Sequence, residues 1–370
     1  MPSPSDPNKL SLHVGGVSHS DWLDFDIDAD LLVPAGAWVV SLGIQAGKLP
    51  AEVQAGARVV LRAGDDVLMT GFIDEIQHTV NRNQHTIVLN GRDNAAILVD
   101  CSAPIFTATN MTLQEVITQV VRPLGAFAVR IQSAQSTAAK KFSVEPGEGA
   151  WDTLKKAAEV CGLWPWVAAD GTLIIGGPDY SAPPVAQLTL LQSGQGNNLL
   201  DLRVTRDMSR RYSQTTVLGQ SHGSHSQDGK RNRRCTVRDT SMTLYRPRVV
   251  VVSDVDSDAE VQFRARKLQA DARLSGLTIT AEVKGFRTPA GVLWAPGQRV
   301  SIKSDVHGID DVFYLMHRRF RGGRGMPMTT VLTLHEDGVW LPDAFPRSKR
   351  QRKGKGKTGL WTSWEQIDNG

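Results

Sequence analysis

The chain has 370 residues, of which 41% are hydrophobic and 22% charged, with 34 glycines, 18 prolines and three cysteines. This length exceeds what one ordinary hydrophobic core covers and predicts about two to four domains. The three cysteines are widely spaced and form no CxxC pair, which argues against a disulfide framework and a cysteine-based zinc site.

The formal net charge of +4 is unevenly distributed. Seven lysines and arginines lie between positions 347 and 357 with no acidic residue among them, and the rest of the chain carries more acidic than basic residues. A uniformly basic nucleic-acid-binding protein is therefore disfavoured. The first residues lack the features of a signal peptide, and the longest apolar stretch, 31–47, is broken by proline and glycine. We expect a soluble protein without a membrane anchor, made in a reducing cytoplasm.

Short strands separated by turn residues dominate the chain. Gly64-Asp65-Asp66 separates two strand-like runs, and Asp170-Gly171 separates another pair, so both predict hairpins. Capping boxes at Thr112–Glu115 and Ser257–Glu260 each predict the start of a helix, and a further apolar stripe begins at Trp151. The fold class is α+β and β-dominated, with several domains.

An internal likeness links the two ends of the chain. Both copies have the order strand, turn, strand, longer loop, strand. The matched segments are 56–62 with 297–303, 65–68 with 310–313, and 86–89 with 330–334. Short β meanders can resemble one another by chance; if the likeness is a duplication, the chain contains two similar small β-barrels.

Two polar stretches, 194–198 and 221–234, are interpreted as a linker and a loop between strands. Residues 347–370 are basic and then polar with tryptophans, which is typical of a largely disordered tail. Gly354–Thr358 superficially matches a P-loop, but the required first glycine is replaced by Gln351 and no strand precedes it, so nucleotide binding is rejected.

The chain shows no convincing catalytic, metal or cofactor site. Gly219–Gly223 fits the GxSxG pattern around Ser221, but the polar residues that follow cannot begin the helix that a nucleophile elbow requires. His222 and His225 lie in the same stretch without enough further ligands for a transition metal. The four aspartates of the stretch 24–30 alternate and share one face, which is interpreted as a solvated strand edge that resists wrong pairing.

Basic side chains are the candidate partner-binding groups. Residues 203–238 carry nine lysines and arginines against two aspartates, with few aromatics for stacking on bases. Together with the tail they predict contacts with acidic partner surfaces. The candidate residues are Arg231, Arg233, Arg234, Arg347, Lys349, Arg350, Arg352 and Lys353.

Several motifs resemble those of one family. Asn90–Asp93 continuing to Ser102, Trp151–Leu154 with Ala158, Gly162-Leu163 and Asp170–Leu173, and Leu274–Leu277 with Pro296–Gln298 are similar to segments of the Mu-like phage tail protein P family. The resemblance covers about residues 10–340. It implies a baseplate hub of a contractile phage tail, related to the hub spikes of type VI secretion systems, and a structural protein rather than an enzyme.

What the resemblance implies about assembly is more specific. Three subunits with two barrels each would form a pseudo-hexameric ring that joins a six-fold tail tube to a three-fold central spike. The expected partners are two further copies of the chain, the tail tube protein, the central spike protein and other baseplate proteins. The protein would be assembled in the host bacterial cytoplasm, reside in the virion baseplate and meet nucleic acid only as DNA passing through the channel. No cofactor is expected.

The alternative functions left open are a hydrolase or cell-wall lytic enzyme that uses Ser221, and a nucleic-acid-binding tail protein.

The predicted domains follow from these patterns. The boundaries are 1–95 for an N-terminal β-barrel, 96–190 for an α/β middle domain, 191–250 with 277–345 for a discontinuous second β-barrel, 251–276 for an inserted helix, and 346–370 for the basic tail.

Overall fold

The computed structural model describes residues 7–43, 49–82, 85–105, 107–108, 111–125, 128–132, 142–144, 146–220, 233–253 and 257–342. Strands dominate these residues, and most belong to one thirteen-stranded sheet, which confirms the β-dominated α+β class.

The N-terminal strands alternate buried and exposed side chains, as half-buried antiparallel strands do. They pair in the order β3-β4-β7-β6-β5-β1, with β2 added to β1. We call β1 and β3 to β7 the first six-strand unit. The strands are β1 (Leu10–Val14), β2 (Val17–His19), β3 (Asp24–Asp30), β4 (Ala37–Gly43), β5 (Arg58–Ala63), β6 (Asp66–Val80) and β7 (His85–Asp93).

A mixed region follows, with a hydrophobic core of its own. The predicted capping box is present at Thr112, whose side chain accepts from the Glu115 N–H while the Glu115 carboxylate accepts from the Thr112 N–H. The hairpin at Gly171, whose φ is +85°, is also present. The elements are α1 (Ala96–Asp100), β8 (Thr107–Ala108), α2 (Leu113–Val116) continued by a π turn and a 3-10 turn to Leu124, β9 (Val129–Ile131), β10 (Phe142–Ser143), α3 (Ala150–Val160), β11 (Trp164–Val167) and β12 (Leu173–Gly176).

The C-terminal half contains a small inserted layer. In it, β15 pairs with β16 and β17, and α4 packs on this sheet through a small apolar cluster. The remaining strands pair in the order β14-β18-β21-β20-β19-β13, which we call the second six-strand unit. The elements are β13 (Gln187–Thr189), β14 (Asp201–Arg206), β15 (Gln214–Gln220), β16 (Arg233–Arg238), β17 (Pro247–Ser253), α4 (Asp258–Leu274), β18 (Leu277–Lys284), β19 (Arg299–Ser304), β20 (Ile309–Gly323) and β21 (Met326–Glu336).

The inserted layer differs from the sequence-based division. The prediction assigned residues up to 250 to the second barrel and treated 251–276 as a lone inserted helix. The hydrogen bonds instead separate 214–253 from the main sheet and join these strands to α4. Alternating side chains identify a strand but not the sheet to which it belongs, which explains the difference. The division into domains and the closure of each unit into a barrel stay predictions.

The two six-strand units repeat one hydrogen-bonding plan. In the first unit, Gly56 N–H donates to Ile73 O at 2.8 Å, and Ile73 N–H donates to Ala57 O at 3.0 Å. In the second, Gly297 N–H donates to Leu315 O at 2.7 Å, and Leu315 N–H donates to Gln298 O at 2.8 Å.

In both units the strand pairing is irregular at the next residue after these hydrogen bonds, at Asp74 in β6 and at Met316 in β20. The segments 56–62 and 297–303 agree in register, and the other matched segments lie at corresponding strands but are shifted by one or two residues, so the internal likeness is one of strand order and pairing. The only difference in pairing sense is that β13 runs parallel to β19, whereas β1 runs antiparallel to β5.

Candidate assembly surfaces

The aspartates of β3 form an internal joint between the two units. Asp26 accepts from Arg319 Nε at 2.7 Å, and its carboxylate lies 3.7 Å from Arg321 Nε. Asp28 contacts His317 Nε2. The prediction of a solvated edge is therefore wrong: residues 24–30 pair antiparallel with 323–317 of β20, and the acidic row faces a basic one. The partner strand lies almost 300 residues away in sequence, so local patterns could not reveal it.

The motif 90–94 joins the first unit to the middle region. Arg92 Nε donates to Asp74 at 2.7 Å, and Arg92 Nη2 donates to Asp100 on α1 at 2.7 Å. These carboxylates raise the pKa of the Arg92 guanidinium, and Arg92 in turn lowers the pKa of Asp100. Asn94 Nδ2 donates to the carbonyl of Gly171 in the β11–β12 turn at 3.1 Å. The motif on which the family resemblance partly rests is thus a structural connection.

A cavity of about 190 Å³ lies beside this connection, lined among others by Asp30, Asp93 and Arg318. Burial raises the pKa of Asp93 to about 6 and also raises that of Asp30. Perturbed carboxyl groups in a cavity can indicate catalysis. Both oxygens of Asp93, however, accept backbone N–H groups, from Gly36 and Ala95 at 2.8 Å each. This geometry assigns Asp93 a structural role.

Arg318 is a buried arginine with few polar contacts. Its side chain is 3% exposed, and its Nε has no hydrogen-bond partner in the described structure. The guanidinium carbon lies 3.8 Å from the centre of the Phe320 ring, and Nη1 donates to Ile27 O at 3.4 Å. Burial lowers the pKa of Arg318 to about 9.

An aromatic junction connects the second unit to the middle region and to α4. Trp340 packs there with Tyr314 and Trp164, and its carbonyl accepts from Tyr180 Oη at 2.7 Å. Burial raises the pKa of both tyrosines, so their hydroxyl groups stay protonated at neutral pH. Arg299 Nη2 donates to the adjacent Asp337 at 2.6 Å. These contacts hold several segments of the chain in one arrangement.

Two of the predicted partner-binding residues lie on β16. The Arg233 Nε lies 3.1 Å from Asp258 Oδ1 at the start of α4, so Arg233 takes part in an intramolecular ion pair, and Arg234 is exposed. The other six, together with Ser221, His222 and His225, lie outside the described residues. Within the described ranges, no group of three or more His, Cys, Asp or Glu side chains could hold a metal ion.

Two of the open strand edges in the described part of the chain belong to β14 and β6. Among the described residues, no strand pairs with the side of β14 that faces away from β18. The β6 segment that follows Asp74 likewise has no pairing strand on the side that faces away from β7. Most side chains of this segment are exposed, and Val80 is 67% exposed. Unpaired backbone groups along a strand edge are sites where another strand can pair. Sequence reasoning missed both edges, since alternation of side chains does not show whether a strand is central or at an edge.

Family models match the chain in four consecutive segments. Their descriptions are Mu phage baseplate assembly protein GpP-like, N-terminal (9–93); baseplate hub protein gp44-like, second domain (95–177); tail protein NMB1110-like, third domain (211–269); and tail protein, C-terminal domain (271–339). The solved tail protein from Neisseria meningitidis MC58 is 38% identical, with a TM-score of 0.80, covering 91% of this chain and 99% of that one. The chain belongs to the Mu-like phage tail protein family.

One relative is a baseplate hub protein. The baseplate hub protein gp44 of Escherichia phage Mu is 25% identical over 314 residues, which cover 82% of this chain and 80% of that protein. A component of the Escherichia coli type VI secretion system shares the fold, with a TM-score of 0.55 and 12% identity over 91% of this chain and 79% of that one. The resemblance stated from the sequence is confirmed, and the chain is a structural component of a phage tail. No helix among the described residues is long and apolar enough to cross a membrane.

Proposed function

We propose that this baseplate hub protein acts as a homotrimeric adaptor between the six-fold tail tube and the three-fold central spike, without catalytic activity. The observation that carries the proposal is the repeat within one chain. Two six-strand units share one hydrogen-bonding plan and are joined edge to edge through β3 and β20. Three copies of the chain would therefore supply six similar units.

The unrepeated regions of the chain support an adaptor between six-fold and three-fold symmetry. The middle region around α3 and the inserted layer of β15–β17 and α4 each occur once in the part of the chain that the structure describes. A trimer would accordingly present six similar units on one level and three copies of each unrepeated layer. A head-to-tail contact between copies of one chain generates a closed ring where the rotation between neighbours closes. The six-fold level suits a tail tube, and the three-fold level suits a spike.

The test is the mass and symmetry of the purified full-length chain. Sedimentation or light scattering at the highest soluble concentration should give three times the chain mass of 40.3 kDa. A three-fold averaged electron-microscopy map should then show six similar units around one channel. A dimer, or a hexamer of whole chains, would contradict the adaptor.

We propose further that the basic tail binds acidic surfaces of neighbouring baseplate proteins in the virion, after assembly of the hub in the host cytoplasm. Arg347, Lys349, Arg350, Arg352 and Lys353 belong to this tail, and Arg231 and Arg234 would add to it. Such contacts weaken with salt because exposed charges are screened. Deletion of 347–370 should leave the trimer mass unchanged and lower incorporation into baseplates. Full incorporation of the shortened chain would remove the tail from this role.

A further inference from the structure

The edge of β6 and the edge of β14 occupy the positions that, in the other unit, form the internal joint. Matching the repeated hydrogen bonds places the β6 segment 75–80 where 317–322 lies in β20, and places β14 where β3 lies. Inside the chain, β3 and β20 are paired. Among the described residues, their counterparts β14 and β6 have no partner on the corresponding sides.

We infer that β14 of one subunit pairs antiparallel with residues 75–80 of β6 in a second copy of this chain, in the register of the internal joint. The inference rests on the proposed trimer and names the contact that would hold it. A ring with pseudo-six-fold symmetry, in which joints within and between subunits alternate, requires that the two joints have similar geometry. The equivalent hydrogen bonds and the equivalent position of the irregularities at Asp74 and Met316 supply that geometry.

Charge favours this pairing over the wrong ones. The internal joint sets the aspartates of β3 against Arg319 and Arg321 of β20. On β14, Arg203 stands at the position of Asp26, Arg206 at that of Ala29 and Asp201 at that of Asp24, while the β6 segment 75–80 carries Glu75 and no lysine or arginine. Pairing β3 with β6 would oppose acidic strands, and pairing β14 with β20 would oppose basic ones. Like charges directly opposite each other destabilise strand pairs.

Side-chain size also complements across the proposed contact. In the internal joint Phe25 lies opposite Gly322, and a side chain at Gly322 would come within 2.7 Å of the Phe25 ring. In the proposed contact the smaller Leu202 would lie opposite Val80. The strand pairing would cover Val80, which is now 67% exposed. A large residue opposite glycine is thus replaced by two residues of medium size.

Cysteine cross-linking tests the register directly. The internal pair Arg319 and Asp28 corresponds to Gln77 and Thr205, both of which are exposed. Directly opposed residues have Cβ atoms about 5 Å apart, within reach of a short thiol cross-linker. The variant Q77C/T205C should form covalent trimers under mild oxidation or with such a reagent. The matched control Q77C/D201C displaces the second thiol by about 13 Å along the strand and should not.

The outcomes separate this inference from the proposed function. A trimer that cross-links only through Q77C/T205C supports both. A trimer by mass in which neither pair cross-links, or in which both do equally, overturns the strand pairing and leaves the trimer standing. A monomer at every concentration overturns both. The single cysteine variants identify any reaction of the native Cys101, Cys161 and Cys235.

A charge exchange gives a second, independent readout. In the internal joint Arg319 contacts Asp26, and the corresponding pair across the subunits is Gln77 and Arg203. Gln77→Arg should weaken trimer association about 2- to 5-fold per interface, since it places an arginine beside Arg203 in the register of Arg319 and Asp26. Adding Arg203→Asp recreates the internal ion pair between subunits and should restore association. A trimer whose association is unchanged by Q77R, or is not restored by R203D, would contradict the proposed register.

Discussion

Replacing Arg318 by methionine should leave the folded chain at least as stable as the wild type. Methionine keeps much of the side-chain length and removes the charge. The guanidinium is almost fully buried, its Nε lacks a hydrogen-bond partner among the described residues, and its bond to Ile27 O is long at 3.4 Å. Removing a poorly compensated buried charge in favour of an apolar side chain is often neutral or stabilising. The equivalent position in the first unit is already apolar, Ile76.

The magnitude follows from the pKa. Burial lowers the pKa of Arg318 from the ordinary value of an arginine to about 9, a difference that corresponds to a cost of up to about 5 kcal/mol for the charged form. The Phe320 ring beneath the guanidinium returns about 2 kcal/mol of this as a cation–π interaction. The unfolding free energy of R318M should therefore exceed that of the wild type by about 1 to 3 kcal/mol at neutral pH.

The pH dependence provides a sharper check. Since the folded pKa of Arg318 is depressed to about 9, the unfolded chain binds more protons than the folded one above that pH. The penalty is fully present below pH 9 and declines as the pH rises above it. Urea unfolding at pH 7 to 10 should show the gap between wild type and R318M narrowing at the alkaline end.

The matched control is Arg319→Met, on the opposite face of the same strand. Its guanidinium donates to Asp26, so the variant should lose about 0.5 to 1 kcal/mol, a small value because the pair is partly exposed. If R318M instead lost more than 1 kcal/mol, or if the two variants behaved alike, the interpretation of Arg318 as an uncompensated buried charge would be wrong.

Two further substitutions test the joint and the connection to the middle region. Gly322→Val should lower the unfolding free energy by about 1 to 3 kcal/mol, because a side chain there would overlap the sulfur of Met328 and approach the ring of Phe25. The smaller substitution Gly322→Ala should lower the unfolding free energy less. An unchanged urea midpoint for both variants would show that β3 and β20 can separate enough to accept a side chain. Asp93→Asn should change the pH profile of stability. Burial raises the folded pKa of Asp93 to about 6, so the stability gained from protonating it in the folded state is complete below about pH 4 and is lost as the pH rises through 6. The unfolding free energy of the wild type minus that of D93N should consequently fall by about 3 kcal/mol over this interval, and a flat difference would contradict the buried, poorly solvated carboxyl group.

Local sequence patterns determined the helices and turns. The capping boxes at Thr112 and Ser257 mark the observed starts of α2 and α4, since a cap depends only on residues within one turn. The turn at Gly64, with φ +57°, separates β5 and β6 as predicted. The likeness between the two ends of the chain and the resemblance to the phage tail family were also legible in the sequence, because both depend on matching short motifs.

The partners of these elements were decided only by the tertiary structure. The aspartates of β3 read as a solvated edge because Arg319, to which Asp26 binds, lies 293 positions later. Arg318 and Arg319 are adjacent in sequence, yet one is buried over Phe320 and the other takes part in an exposed ion pair. Periodicity states which side chains share a face, but the strand on the other side of each edge depends on contacts across the whole chain. For the same reason, the open edges of β6 and β14 became visible only once the sheet was assembled.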